Sequence, residues 1–168
     1  GYLWRLEEVC DPGIEAMEAL CGEDCNLPDG QLGGDGASAT HAASSCAIIR
    51  ALHGVEADGL YWLDVDGLGG EPSSKVWCDM TTDGGGWTLV ESYDFIHRTS
   101  YAQQAFSLDF PRNNATPGWD DYRLSLSEMD RISSVSSAVH SRCHRDSLQS
   151  PDDYIFADIA LIQDTLSN

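Results

Sequence analysis

His140, Cys143 and His144 come nearest, in type and spacing, to a reactive centre in this chain. Two histidines four apart on one helix face can share a metal ion, and this segment reads as helical. No Glu follows His140, however, so the metalloprotease pattern is not met. Cys143 fits better as half of a disulfide. A second group is acidic. Asp64-Val65-Asp66-Gly67 opens like a calcium loop, but the fifth and twelfth positions of an EF-hand fall on Leu68 and Lys75. Neither supplies the oxygen that the loop needs, so a turn is the simpler account. Asp83 stands before three glycines and is expected to accept hydrogen bonds from turn amides, with metal ligation as the alternative. Asp64, Asp66 and Asp83 are therefore weak metal candidates, and calcium is the cofactor left open.

Hydrolytic and nucleotide chemistry find no footing. The sequence has no Gly-x-Ser-x-Gly, no Cys/His pair in an activating context, no P-loop and no dinucleotide fingerprint. Asp120-Asp121 and Asp152-Asp153 are adjacent, and on a strand adjacent side chains point to opposite faces. The chain is expected not to be an enzyme.

Charge narrows the partners. Twenty-eight acidic residues stand against nine basic ones, a net charge of −19. Such a field disfavours nucleic acid and anionic membrane surfaces. No apolar run approaches a membrane span. The 42% hydrophobic content suits a globular core. Gly1, in place of Met, is taken as a sign of a processed chain or a piece of a longer one. Six cysteines (Cys10, Cys21, Cys25, Cys46, Cys78 and Cys143) include no CxxC pair, so a disulfide framework in an oxidising compartment is expected. Spacing alone does not choose their pairing, although Cys21 and Cys25 are expected not to pair with each other.

The elements that must position these residues follow from pattern. Asp11 as N-cap, Pro12 behind it, and Ile14, Met17, Leu20 and Cys21 at helical spacing predict a broken helix over 1–22. It would either pack on the main domain or mediate assembly. Asn26 to Ser45, rich in Gly, Ala, Ser and Asp, is expected to be a loop or linker. Residues 1–45 thus form an acidic N-terminal segment, and 46–168 the main domain. There, Ala42–His53 is expected as a helix. Gly59–Val65, Ser74–Met80, Trp87–Tyr93, Asp121–Leu126 and Tyr154–Leu161 are expected as strands. Ser127–Val135 is expected as a helix capped by Ser127, and Phe95–Gly118 as a long loop. Between Val76 and Val90 lies the sharpest pattern. Val76, Cys78 and Met80 alternate to one face, and Trp87 and Leu89 share a face beyond a turn built on Gly84, Gly85 and Gly86. Three glycines in a row suit positive φ or a close approach of another segment. Asn114-Ala115-Thr116 is an N-glycosylation sequon followed by Pro117. Trp4 and Trp119 fall outside the expected sheet and are the aromatic candidates for an interface.

Cys78-Asp-Met-Thr-Thr-Asp-Gly-Gly-Gly-Trp-Thr88 closely resembles the signature of fibrinogen-related domains, the extracellular modules of fibrinogen, ficolins, angiopoietins and tenascins. Cys46, its spacing from Cys78, and Gly59-Leu60-Tyr61-Trp62-Leu63 are similar too, and the resemblance covers roughly Ser45 to Glu91. It implies a Cys46–Cys78 disulfide, leaving Cys10, Cys21, Cys25 and Cys143 for other bridges. It also implies that the usual C-terminal subdomain is missing. The family's calcium site lies in that subdomain, on an Asp-x-Asp loop before an Asn-Cys-Ala stretch absent from this sequence, so it does not carry over. The expected fold is α+β: an antiparallel sheet with short flanking helices and long loops, held by disulfides. The expected function is a non-catalytic, secreted, glycosylated structural or adhesive module within a cell-surface or extracellular assembly such as a filament or matrix. It would have protein partners, including copies of itself. The alternative is a lectin-like glycan-recognition module, calcium-dependent or not.

Overall fold

A computed structural model of the chain describes residues 2–5, 33–67, 70–94, 105, 107–119, 121–143 and 153–158. In chain order the elements are β1 (Tyr2–Arg5), a 3-10 turn (Ala39–His41), α1 (Cys46–His53), β2 (Gly59–Leu63) and β3 (Ser74–Asp79). A second 3-10 turn (Thr82–Gly84), β4 (Trp87–Tyr93), β5 (Asp121–Arg123), α2 (Leu126–Ser134), β6 (Ala138–Cys143) and β7 (Asp153–Asp158) follow. Helix and antiparallel sheet are both present, so the fold is α+β. Contacts gather the chain into two compact units, Leu6–Thr88 and Gly1–Arg5 with Leu89–Asn168.

In the first unit, α1 starts where Ser45 turns its hydroxyl onto the Ile48 amide at 3.1 Å, satisfying an otherwise orphaned donor. It stops at Gly54, whose φ of 62° ends the helix in the left-handed region. Its first turns bury Cys46, Ala47, Ile48 and Ile49. β2 and β3 pair antiparallel with Tyr61 opposite Val76 and Gly59 opposite Cys78. The expected alternation holds, with Val76, Cys78 and Met80 all buried. The Gly-rich run before α1 packs along β2. Trp62 donates its amide to Gly36 O at 2.9 Å, Ala43 donates to Trp62 O at 3.1 Å, and Asp64 donates to Ala43 O at 2.8 Å. These bonds occupy backbone groups that the outer edge of β2 would otherwise leave open.

β4 follows the glycine turn. Its first two residues pair with β3, Thr88 opposite Cys78 and Trp87 opposite Asp79. Both of its faces are buried from Trp87 through Ser92, so neither is turned to solvent there.

The second unit holds the rest of β4. Glu91, Ser92 and Tyr93 pair with Arg123, Tyr122 and Asp121 of β5. Arg123, fully buried, donates from Nη1 to Glu91 Oε2 at 2.7 Å and from Nη2 to the carbonyls of Ala105 and Leu108 at 2.9 and 3.0 Å. A buried charge is tolerable only when paired and hydrogen-bonded in this way. The strand order runs β4, β1, β6, β7.

Several local expectations change. Tyr2–Arg5 is a strand rather than the start of a helix, because pairing with β6 overrides local propensity. The rest of the segment expected as a helix, with Cys10 and Cys21, lies outside the described residues, as does Cys25. Ser125, not Ser127, caps α2: its hydroxyl accepts from the Glu128 amide, and the Glu128 carboxylate accepts from the Ser125 amide. Only Ser125 has a Glu three residues on, which closes the reciprocal box. His140 and Cys143 stand on strand β6, not on a helix.

Gly84, Gly85 and Gly86 have φ of 89°, 69° and 83°. A Cβ on Gly85 would overlap the Met80 carbonyl, whereas one on Gly54 would meet nothing within 4 Å. Gly85→Ala is therefore expected to cost about 3 kcal/mol, from strain plus collision, and Gly54→Ala about 1 kcal/mol from strain alone. Urea unfolding of the two variants measures the difference.

Candidate functional site

The segment with the strongest sequence signal is built from three elements of the Leu6–Thr88 unit. α1 supplies Cys46 at its first position, and β3 supplies Cys78 near its end. The two are joined by a disulfide with Cα atoms 5.6 Å apart, and both are fully buried. β4 contributes Thr88, whose hydroxyl donates to Cys46 Sγ at 3.1 Å. The glycine turn closes over the helix. A Cβ on Gly86 would lie 2.9 Å from Ala47 Cα, so the backbone is as near as it can be. Arg50 Nε donates to Met80 O at 3.1 Å and fastens the turn to the middle of α1.

Two carboxylates hold the turn from the other side. Asp79 Oδ1 accepts from the amides of Thr81 and Thr82 at 3.0 and 2.8 Å. Asp58 accepts from the Met80 amide at 2.7 Å and from the Thr81 hydroxyl at 3.2 Å. Trp87 Nε1 donates to Thr82 O at 2.8 Å. Burial pushes the Asp79 carboxyl up, but hydrogen bonds from Thr82 and Thr81 outweigh it and hold the group below the usual carboxylate range. For Tyr61, whose hydroxyl donates to Ala57 O at 2.8 Å, burial and the Asp58 charge push the phenol up.

The sequence pointed to Asp83 as acceptor for the turn amides. It is exposed, with φ of 45° inside the turn, and the Thr81 and Thr82 amides donate to Asp79. An Asp followed by two Thr is an Asx-turn signal, so Asp79 was findable. Glu91 and Arg123 were not singled out, because nothing local marks a charge as buried.

The other candidates are dispersed. Asp64 Oδ1 accepts from the Gly67 amide at 2.9 Å and Asp66 Oδ2 from the Glu71 amide at 3.0 Å, so both carboxylates serve their own turn. Among the described residues, no group of three His, Cys, Asp or Glu side chains could hold a metal ion. His140 is buried on β6, opposite Leu3 and Phe156, and Cys143 is opposite Asp153. His144, Asp120 and Asp152 lie outside the described residues. Asn114 and Thr116 are exposed on a turn in which the Thr116 amide donates to Asn113 O at 2.8 Å. Trp119 is 43% exposed, with its carbonyl accepting from the Ser92 hydroxyl. Trp4 lies on β1, opposite Val139. Among the described residues, no helix is long and apolar enough to cross a membrane.

Chemically, the centre holds two backbone segments together. Its sulfurs are oxidised and buried, and its buried carboxylate is committed to amides. No protein-family model and no solved structure matches the chain.

Burial pushes the Glu91 carboxyl up, and the Arg123 charge and hydrogen bond offset this only in part. The two carboxyls therefore act oppositely on acid stability. With its folded pKa lowered, Asp79 stabilises the fold above the unfolded value of about 3.9, and that contribution disappears as pH falls through the folded value. With its folded pKa raised, Glu91 contributes a term that declines as pH rises through the carboxylate range. Asp79→Asn is expected to cost roughly 1–2 kcal/mol at neutral pH and much less near pH 3, as read from urea midpoints across pH. Replacing Cys46 and Cys78 together by Ser is expected to cost about 3–4 kcal/mol, from the loop entropy returned to the unfolded chain. The same unfolding titration measures it. In the native protein, reductant should consume this disulfide no faster than the unit opens.

Proposed function

We propose that this chain is a non-catalytic extracellular structural or adhesive module, related to the fibrinogen-related domains, and a subunit of a larger cell-surface or matrix assembly. One observation carries the reading: the buried Cys46–Cys78 disulfide ties α1 to β3, just ahead of the glycine turn, at the residues that carry the resemblance. A buried disulfide is kept where the surroundings are oxidising, which supports a secreted location. The centre's commitment to amides and backbone supports a scaffold rather than a catalyst.

The acidic surface sets conditions for such an assembly. At −19, copies repel one another until salt shortens the reach of the field to about 8 Å at 0.15 M ionic strength. Contacts between copies must then come from apolar or backbone pairing, and the exposed Trp119 and Leu108 are available surface of that kind. An N-glycan at Asn114 would project from an exposed turn without disturbing the pairing of β5.

The test is the native species itself. Light scattering and electron microscopy of the chain, purified from an oxidising host at 0.15 M salt, are expected to show ordered oligomers. These should weaken as salt is lowered. A monomer at every concentration, with a melting temperature that rises on adding calcium and a sugar, would replace this reading with the glycan-recognition one.

A further inference from the structure

We propose that the groove between β4 and β6, filled by β1, also accepts β1 from a second copy of the chain, so that copies join by exchanging this strand. The inference rests on the self-assembly proposed above and names its contact.

It starts from how the chain divides. Gly1–Arg5 belongs to the unit otherwise made of Leu89–Asn168, while all of Leu6–Thr88 makes up the other unit. β1 is thus the piece of its unit that comes before the other unit in the chain. It is also internal to its sheet, with β4 on one side and β6 on the other. Its register against β6 is antiparallel, running from Tyr2 opposite Ser141 to Arg5 opposite Ala138. Take β1 away and two strand edges are left with unpaired N–H and C=O groups, which are best satisfied by another strand. Val139 and His140, which face β1 across the register, are buried. An empty groove would therefore wet part of the core.

Covalent reach does not confine β1 to its own groove. Residues 6–32 separate it from Gly33, the first described residue of the other unit. A segment of that length spans up to about 90 Å when extended. A neighbouring copy at high local concentration can therefore compete with the chain's own strand. Because the donated strand and the receiving groove are different surfaces, open exchange propagates head to tail, and reciprocal exchange closes a dimer.

Two full-length chains with different affinity tags, one carrying Tyr2→Cys and the other Ser141→Cys, are coexpressed in an oxidising host and purified through both tags. These two positions face each other across β1 and β6, and in this pair a bridge between them forms only across chains. Peptide mapping is expected to find that bridge. A chain carrying both substitutions is the control. Should it bridge positions 2 and 141 within itself while the coexpressed pair yields no bridge, strand exchange is overturned. If light scattering still shows oligomers, the assembly reading stands without it, whereas monomers throughout overturn both. Hydrogen exchange on the unmodified chain guards against variants that fail to fold. Protection of the amides of residues 138–141 is expected to rise with protein concentration. Protection independent of concentration counts against exchange.

Discussion

The close approach of the glycine turn to α1, secured by the Cys46–Cys78 bond, is the contact on which the Leu6–Thr88 unit depends. Glycine at 86 lets two backbones meet where a side chain would keep them apart. Sulfur then makes the meeting permanent. Once α1 is fixed there, Arg50 reaches Met80 O, and Met80 in turn gives its amide to Asp58. The hydrogen bonds around the turn cost little entropy because the crosslink has already ordered the groups that make them.

The second unit reaches order by a different route. It relies on a buried Arg123–Glu91 pair directly across two strands, with two carbonyls accepting from the same guanidinium. An ion pair of this kind is a weak source of stability, because desolvation takes back most of the attraction. It is nonetheless demanding about geometry. The guanidinium fork fixes where the backbone near Ala105 and Leu108 can lie. Geometry here is set by charge, where the other unit sets it by covalent linkage.

What could be read from the sequence follows the range of the forces involved. The alternation of Val76, Cys78 and Met80, the positive φ at Gly84–Gly86 and the helix behind Ser45 are local, and the chain displays them openly. The cap of α2 was missed by two residues, because Ser125 and Ser127 are equal until Glu128 is weighed. β1 was hidden for a deeper reason. Tyr-Leu-Trp-Arg takes its shape from β6, far along the chain, and no local pattern contains that partner. The same holds for β6, where Ala-Val-His-Ser-Arg-Cys suggested a helix bearing His140. Among the candidate ligands, Asp64 and Asp66 share a loop, as the turn reading expects, and each carboxylate accepts from a different amide.

β4 has one more consequence, for inheritance rather than for folding. Seven consecutive residues serve both units: Trp87 and Thr88 in one, Leu89 to Tyr93 in the other. A joint cut inside this strand would part the residues that pair with β3 from those that pair with β5. A gene segment encoding either unit alone would carry only part of the strand. Lineages that duplicate or shuffle this sequence are therefore constrained to move it whole, and insertions that lengthen it should be confined to its flanks.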